Sequence, residues 1–569
     1  MQSTTAESRT ARFPQKRVLI IGGVAGGASC AARMRRLDED AYIALFDRGA
    51  HVSFANCGLP YFVGNVIRDE RALVVASHEL FRDRFNIDVY TETEVTAIDR
   101  AAQQITVQDK RTGAVRSEKY DALVLSPGAA PIRPDLPGTS LEGVFAVRNI
   151  PDSRRIRSWI EDKHVARAVV IGGGFIGLEM AENLFRRGIA VTILEKQPQL
   201  MPSLDPEMTV PLTDHMQKQG VSLRLGDGLA AIELQGEGLC VVAESGTRLP
   251  ADLVILALGV RPETTLARDC GLPVGARGGI VVNPQMRTAD PCIWAVGDAV
   301  EVHDVLTGQE LVLPLAGPAN RQGRIAAESI AGRRTRFRGV QATAVVGVMG
   351  MTVASTGATE KGLQRAGVKD WAKIYLHPGH HASYYPGAHA IHLKLLFSCS
   401  DGRILGAQAV GHEGVEKRID VIATAIQFAG TVQDLAEAEL CYAPQYGAAK
   451  DPTNVAGMIA TNVLHGDMPL AHWEDLNSAQ AMDGVLLLDV REGSEYSTGH
   501  IPGAINIPLA QLRRNLDRVV GFREVWLCCG VGQRAYYALR HLAQHGIAAR
   551  ELSGGYATYL MLKAVRRVP

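Results

Sequence analysis

Short apolar runs that stop at glycine organise this chain. In "KRVLIIGGVAGGASCAARMRRL" the run 18–21 ends at Gly22, and Ala28, Ala31, Ala32 and Met34 follow at helical spacing. That pattern predicts a buried strand, a glycine turn and a helix. "AYIALFDRG" predicts the next strand, ending at Asp47. The same order returns in "ARAVVIGGGFIGLEMAENLFRRG" and "AVTILEK", whose strand ends at Glu195. The chain therefore holds two βαβ units. "YDALVLSPGAAP" and "ADLVILALGVRPET" read as matching strand-and-turn segments, and "CIWAVGDAVEV" as a strand ending at Gly297 and Asp298.

From Gln341 the texture changes. "AVVGVMGMTVASTG", "DWAKIYLHPG" and "AIHLKLLFSCSDGRILGAQAVG" predict strands with turns, and "GVEKRIDVIATAIQFAG" predicts a helix, so this is a separate α+β unit. Another shift comes near "HGDMPLAHWEDL". The last stretch predicts a helix, the strand "GVLLLDVRE", and then "EVWLCCGVGQRAYYALRHLAQHG", a small α/β domain of its own.

Composition narrows the partners. At 569 residues and 46% apolar, the chain is too long for one core and can bury several. Lys+Arg and Asp+Glu are both 60, which argues against nucleic acid or an acidic membrane surface as the main partner. No apolar run approaches the roughly 20 residues that span a bilayer. The polar start "MQSTTAESRTARFPQK" lacks the apolar stretch of a secretory signal and reads as a disordered tail. The nine cysteines are scattered and odd in number, which fits a reducing cytoplasm.

The second glycine signature, Gly172, Gly174 and Gly177, fits G-x-G-x-x-G between strand and helix. Such a turn admits a pyrophosphate against the helix N-terminus. Glu195 stands where a carboxylate bonds a ribose 2′-hydroxyl, which favours NADH over NADPH. The first signature has Gly22 and Gly27, with Val24 in the middle slot and Gly26 available for the close approach. Asp47 is its ribose acid. Asp298, in "WAVGDAV", can reach the ribityl and phosphate region of a flavin; the alternative is a helix N-cap. Two dinucleotide folds imply two dinucleotides, most simply FAD first and NAD(P)H second.

Soon after the first signature, "HVSFANCGLPYFVGN" holds one cysteine, Cys57, with no second one close behind. A lone cysteine is ordinarily buried packing. Here the surrounding motifs decide. "IIGGVAGGASCAARMRRL", "SFANCGLPYFVG", "SPGAAP", "VVIGGGFIGLEMAENL", "LALGVRPET", "WAVGDAV", "LPLAGPANRQGRIAAESI", "MGMTVASTG" and "CYAPQYGAAKDPTNVAG" together resemble the flavin-dependent pyridine nucleotide–disulfide oxidoreductases. The resemblance is to their single-cysteine branch, which holds coenzyme A-disulfide reductase, NADH oxidase and NADH peroxidase.

The resemblance implies an α/β chain with two Rossmann-like FAD and NAD(P) domains in a glutathione-reductase-like arrangement, followed by an α+β dimerisation domain. The expected FAD-binding domain is 16–120 with 246–335, the NAD(P)H-binding domain 121–245, and the dimerisation domain 336–465. It places FAD contacts at Gly22, Ala25, Gly26, Asp47, Arg48 and Val95. Further FAD contacts fall at Ser126, Gly128, Arg133, Asp298 and Ala316. Pyridine-nucleotide contacts fall at Gly172, Gly174, Phe175, Ile176, Glu179, Glu195 and Gly259.

Cys57 falls on the flavin-facing position. Dithiol relatives carry C-x4-C, whereas Phe62 occupies the partner position, so Cys57 must cycle against an exogenous sulfur or oxygen. An oxidised flavin and a helix N-terminus are expected to favour its thiolate. A coenzyme A site is implied at Ser29, Arg33, Arg36, Ser53, Asn56 and Asn320, with Lys450 reaching across a homodimer. Arg33 and Arg36 would grip phosphate; the alternative is a solvated basic face. Phe85 stands where a basic CoA contact is expected. Tyr384 and Tyr442 match residues that reach across the dimer and can protonate a departing CoA thiolate, with Tyr385 and Tyr446 close enough to compete. "HPGHH" at 377–381 is not read as a metal site, because no carboxylate or cysteine accompanies it at ligand spacing.

The terminal "LLLDVREGSEYSTGHIPGAINIP" and "WLCCGVGQRAYYALRHL" resemble a rhodanese domain, set at 470–569. Counting back from Arg534 makes Cys529 the head of the loop Cys529, Gly530, Val531, Gly532, Gln533 and Arg534, and leaves Cys528 to the strand. Loop N–H groups and a helix N-terminus would stabilise a thiolate or persulfide there. Asp489 and Arg491 read as structural supports.

The joint reading is an NADH-linked reductase of CoA persulfide, polysulfide or CoA disulfide. Cys529 supplies sulfane sulfur and coenzyme A, bound or as substrate, carries it to Cys57. One rival is an NADH oxidase or peroxidase using a Cys57 sulfenic acid. Another, of a different class, is a sulfur-carrier or redox-sensing protein.

Overall fold

A computed structural model describes residues 15–476 and 483–565. The expected disordered tail, but for its last two residues, and the expected opening helix of the last domain, where it runs into 477–482, lie outside them. The described residues fall into two compact units.

The first unit takes in residues up to 133, with 146–158 and 259–340. Its centre is a parallel sheet in the order Ile293–Ala295, Ala122–Leu125, Arg17–Ile21, Tyr42–Phe46, Asp88–Tyr90. Val18, Leu19, Ile20, Leu123 and Val124 are fully buried, as strands covered on both faces require. Helices Ala25–Arg35 and Ala316–Ile330 pack side by side. Gly323 permits this, since a Cβ there would sit 2.2 Å from the Gly26 carbonyl oxygen. Ala122–Leu125 ladders onto Arg17–Ile21, although the sequence reading put 121 onward in the second nucleotide domain. An uninterrupted apolar tetrad suits the centre of this sheet, so the chain returns to it before leaving.

The second unit contains residues 134–145, 159–258 and everything described from 341 onward. Its nucleotide-type sheet runs Ser222–Leu225, Ala190–Glu195, Arg167–Ile171, Leu253–Leu256, Val144–Phe145, all parallel. Leu253–Leu256 thus sits here rather than with the 246–335 segment expected from sequence. Next comes an antiparallel sheet in the order Ala344–Val348, Met351–Gly357, Ile404–Gly411, Ile391–Phe397, Ala372–Leu376. Helix Val415–Gln427 packs on it through Ile419, Ile422 and Ile426. The last sheet is parallel, with Glu524–Cys528 between Val485–Asp489 and Ala549–Leu552.

Within this unit a buried charge cluster links the antiparallel sheet to helix starts at Asp205–Glu207 and Glu360. Lys394 is fully buried on the strand Ile391–Phe397 and meets Asp205 at 2.7 Å, Glu207 at 2.5 Å, and Glu360. Burial works to strip its proton, and the carboxylates of Glu207, Asp205 and Glu360 more than reverse that. Lys373 bridges Glu360 at 3.0 Å to Glu474 at 2.7 Å, reaching the terminal segment. Buried ions without such partners would cost several kcal/mol each.

Candidate functional site

The first glycine turn is set by its backbone. Gly22 has φ +95°, and a Cβ there would lie 2.0 Å from the Ser126 carbonyl oxygen, so only glycine fits. Gly27 has the helix-packing role: a Cβ would come within 1.8 Å of the Gly22 oxygen. At Gly26 a Cβ would meet Val296 at 2.8 Å and Ser126 Oγ at 3.1 Å, so the close approach there is to protein. Ala25 opens the helix. Asp47, at the end of the second strand, accepts N–H bonds from Gly23 at 2.9 Å and Gly49 at 2.8 Å. Burial raises its carboxyl above the usual range, while those two N–H groups, Arg48 and Arg148 oppose the rise.

Asp298 lies inside a short turn, Gly297–Ala299, whose N-cap is Val296, so the N-cap reading of Asp298 does not hold. Burial raises its carboxyl and Arg148 opposes. Arg148 was not found from sequence. It is half-buried, its charge is disfavoured by burial, and Asp298 and Asp47 act on it. A Cβ at Gly128 would sit 2.6 Å from its Nη2. A lone arginine within "FAVRNI" was the only signal. Arg48 pairs with Glu263 at 3.2 Å, Val95 is buried at a bulge in Thr93–Asp99, Arg133 is exposed, and Ala316 opens its helix. Two converging carboxyls, a half-buried arginine and a turn closed to any side chain fit a dinucleotide carrying a polar ribityl chain.

The second turn repeats the design more openly. Gly172 approaches the Ala257 oxygen, with a Cβ position at 2.4 Å, and Gly177 packs against Gly172. Around Gly174 nothing lies within 4 Å of a Cβ position, leaving room at the start of helix Phe175–Arg186. Phe175, Ile176 and Glu179 are part-buried on that helix. Glu195 is buried and accepts from Gly173 N–H and Gln197 N–H, both at 2.7 Å. Gly259, with φ +93°, belongs to the first unit, where its oxygen accepts from Ile132 N–H. These residues fit the pyrophosphate and adenosine ribose of a pyridine nucleotide.

All nine cysteines are thiols. Cys57 is exposed on a short turn, Asn56–Gly58, directly before helix Leu59–Val63. Ser53, at φ +46°, donates its N–H to Gly23 oxygen at 2.6 Å and so moors the thiol segment to the first glycine turn. Phe62 is buried with Leu59, Leu73 and Ile150, so apolar packing fills the position of a second sulfur.

The residues expected around coenzyme A divide. Ser29 Oγ donates to Asn320 Oδ1 at 2.5 Å, joining the two packed helices. Asn56 Oδ1 is buried without a hydrogen-bond partner among the described residues. Arg33 is committed to Glu328 at 2.6 Å, because packing the two helices sets the carboxylate beside it. Arg36, just past the helix end, is exposed, so the two arginines do not form one unengaged grip. Phe85 is half-buried against the core and its carbonyl accepts from Arg35 Nε at 2.9 Å.

Tyr384 and Tyr442 join hydroxyl to hydroxyl at 2.5 Å on an exposed surface. Tyr385 turns edge-on to His381 instead, and Tyr446 and Lys450 are exposed. The histidines of 377–381 are taken up internally. His377 Nδ1 meets His392 Nδ1 at 2.8 Å and its Nε2 meets Thr558 Oγ1 at 2.8 Å; burial pulls its pKa down to about 3. Glu413, remote in sequence, comes to 3.4 Å from His380, a carboxylate that spacing did not reveal.

The terminal loop separates its two cysteines. Cys528 ends the strand Glu524–Cys528, is fully buried, and burial pushes its thiol far up. Cys529 heads the loop, and its Sγ accepts Gly532 N–H at 3.2 Å. Gly532 has φ +107° and precedes helix Gln533–Gln544. Helix Gly555–Val565 holds the loop from behind, with Tyr556 N–H on Cys529 oxygen at 2.7 Å and Ala557 N–H on Gly530 oxygen at 3.0 Å. Arg534 grips Glu495 through two bonds of 2.6 and 2.8 Å. Val531 is exposed at the loop crest, and Gln533 donates to Tyr537. Arg491 pairs with Asp489 at 2.7 Å and lies over the Tyr556 ring, the supporting part expected of it.

The chain is similar to known proteins. Residues 16–323 match the pyridine nucleotide-disulphide oxidoreductase family, 343–451 its dimerisation domain, and 472–561 a rhodanese-like domain. Coenzyme A disulfide reductase of Staphylococcus aureus is 35% identical over 442 residues, covering 78% of this chain and 99% of that protein. The crystal structure of reduced Bacillus anthracis CoADR-RHD superposes with a TM-score of 0.95 at 43% identity, covering 98% of this chain and 99% of the other. An NAD-dependent persulfide reductase from A. fulgidus gives 0.88 at 36% identity, covering 95% and 100%. The chain belongs to the pyridine nucleotide-disulphide oxidoreductase family and carries a dimerisation domain and a terminal rhodanese-like domain.

Proposed function

We propose that this enzyme uses NADH to reduce CoA persulfide, and CoA disulfides or polysulfide by the same chemistry, through Cys57, with sulfane sulfur delivered by Cys529. The observation that carries the reading is the placement of Cys57 and Cys529 in one chain. Cys57 is exposed with apolar Phe62 in place of a second sulfur, and Cys529 sits in a loop whose Gly532 N–H points at its sulfur. Both resemblances at TM-scores of 0.88 or above support it.

Bound FAD supplies the two-electron relay between pyridine nucleotide and a sulfur–sulfur bond. Residues Gly22, Asp47, Gly128, Arg148 and Asp298 would hold it, and Gly172, Gly174 and Glu195 would hold NADH. Glu195 repels a 2′-phosphate, hence NADH over NADPH. Cys57 thiolate attacks the CoA sulfur of CoA–S–SH, a Cys57–S–S–CoA bond forms, and HS⁻ departs. Two electrons and a proton then return Cys57 thiolate and CoA–SH. The sum is CoA–S–SH + NADH → CoA–SH + HS⁻ + NAD⁺. Tyr442, hydrogen-bonded to Tyr384, would deliver the proton to the CoA sulfur from the second subunit of a homodimer. Asn56, whose Oδ1 is unmatched, with Ser29, Asn320, Ser53 and Lys450, would position coenzyme A. Arg36 remains for phosphate once Arg33 is engaged with Glu328. Nucleic acid has no part in this chemistry, and thiols held reduced suit the cytoplasm. No helix among the described residues is long and apolar enough to cross a membrane.

The test is hydrosulfide release and NADH oxidation with CoA persulfide. Cys57→Ser is expected to abolish both. Full turnover in that variant, or faster turnover with oxygen or peroxide than with any persulfide, would overturn the reading.

A further inference from the structure

Beneath the sulfur loop lies a carboxyl that the scheme above does not use. Glu551, on the strand Ala549–Leu552, is 1% exposed, and its Oε2 is buried without a hydrogen-bond partner among the described residues. It lies against the loop glycine: a Cβ at Gly532 would sit 2.8 Å from Glu551 Oε1. Gly532 is the residue whose N–H reaches Cys529 Sγ. One residue therefore touches both the sulfur and the buried carboxyl.

The charged groups near this point have other partners. Arg534 on the following helix is bound by Glu495 and also faces Cys529, whose anion it favours, and Arg491 is bound by Asp489. Glu524, on the neighbouring strand, is held by Arg550 and Trp526. Cys528, next to Cys529, feels Glu551 as a like charge. Among the described residues no cation acts on Glu551; burial moves its proton equilibrium strongly toward the neutral acid. A carboxylate in this position would face the sulfur of Cys529 across one glycine.

We propose that Glu551 is a positioning residue of the sulfur-transfer loop, a carboxylic acid kept uncharged under Gly532 so that Cys529 can carry a thiolate or persulfide anion. The inference rests on the reading of Cys529 as the sulfane carrier. In the loading step Cys529–S⁻ attacks the outer sulfur of R–S–SH, the S–S bond breaks, and R–S⁻ leaves as Cys529–S–SH forms. Negative charge is present at Cys529 before attack, and again once the persulfide ionises. Ionising Glu551 would place a second negative charge beside it in a dry site, where like charges repel most strongly.

The experiment compares the full-length protein with Glu551→Gln, which has the same shape and no charge at any pH. Each is loaded with inorganic polysulfide across neutral to alkaline pH, and the persulfide on Cys529 is followed by mass spectrometry after alkylation. Taking the ratio of the two rates cancels reagent ionisation. The ratio Glu551→Gln over wild type is expected to be flat at neutral pH and to rise about tenfold per pH unit beyond the Glu551 midpoint. A ratio flat throughout overturns the role of Glu551 while leaving Cys529 as carrier. No persulfide on wild-type Cys529 at any pH overturns the carrier reading, and this inference with it. Should the glutamine variant not fold, infrared spectra of the wild-type protein decide. A protonated-carboxyl stretch that persists at neutral pH and disappears in step with loss of loading supports the proposal; a carboxylate already ionised at neutral pH overturns it.

Discussion

The hydroxyls of Tyr384 and Tyr442 meet at 2.5 Å, although 58 positions separate them in the chain. Each ring is exposed, Tyr384 at 73% and Tyr442 at 47%, so the pair stands ready on a surface rather than in a core. The bond to Tyr384 holds the Tyr442 proton more tightly than usual. As the acid for a departing CoA thiolate, Tyr442 is expected to matter most when that thiolate is strongly basic. Tyr442→Phe should lower kcat with CoA persulfide or CoA disulfide about 100-fold. With a mixed disulfide whose leaving thiol is a weak base, the loss should shrink to a few-fold. Tyr384→Phe should cost less on both substrates. Equal losses on strong and weak leaving groups would count against proton delivery.

Cys528 and Cys529 are adjacent and differ in their surroundings. Cys529→Ala should abolish polysulfide-fed sulfide release and leave CoA-disulfide reduction within about twofold of wild type, since disulfide reduction needs Cys57 alone. Cys528→Ser should retain sulfur loading while lowering thermal stability, because it puts a hydroxyl into a fully buried site. Loading carried by Cys528 instead would reverse the assignment.

Glu495 anchors the loop arginine. Its bond to Arg534 holds its carboxyl down at about 2, against an ordinary value of 4.5. A depressed acid contributes stability above its unfolded pKa and loses it as pH falls through the folded one. The penalty of Glu495→Gln on melting of the terminal domain should therefore be full at neutral pH. It should fade between about pH 4.5 and pH 2. Both side chains are about a third exposed, so solvent screens the pair, and the penalty should also weaken in high salt. A penalty independent of pH would mean packing, not charge, is what Glu495 supplies.

Lys394 is the counter-charge for three acids from two segments of the second unit, Asp205 and Glu207 at one helix start and Glu360 at another. Lys394→Met strands Asp205, Glu207 and Glu360 in a buried site and should destabilise by about 3–5 kcal/mol, read as a lowered denaturant midpoint. Acid should partly rescue the variant, because protonating the stranded carboxyls removes their repulsion. Wild-type stability in the methionine variant at neutral pH would show that the cluster is hydrated.

The two glycine turns and the strands that lead to Asp47 and Glu195 were legible from periodicity, whereas Cys57 and the loop headed by Cys529 were singled out only by the motifs around them. Periodicity sets strand, turn and helix locally, and a turn that tolerates only glycine announces itself wherever it occurs. The sequence by itself also determined that there would be two nucleotide folds, an α+β unit and a sulfur-loop domain. Pairing across the chain was decided only by tertiary structure. Ala122–Leu125 joined the first sheet and Leu253–Leu256 the second because an apolar strand can enter either, and only the completed ladder chooses. Arg33 lost its unengaged charge to Glu328 when two helices packed, Arg148 came to Asp298, and Glu413 came to His380. Glu551 carried no signal in the sequence; folding drew it out of water and set it under Gly532. Electrostatic roles of this kind depend on burial and on partners distant in sequence, and neither exists until the chain has closed.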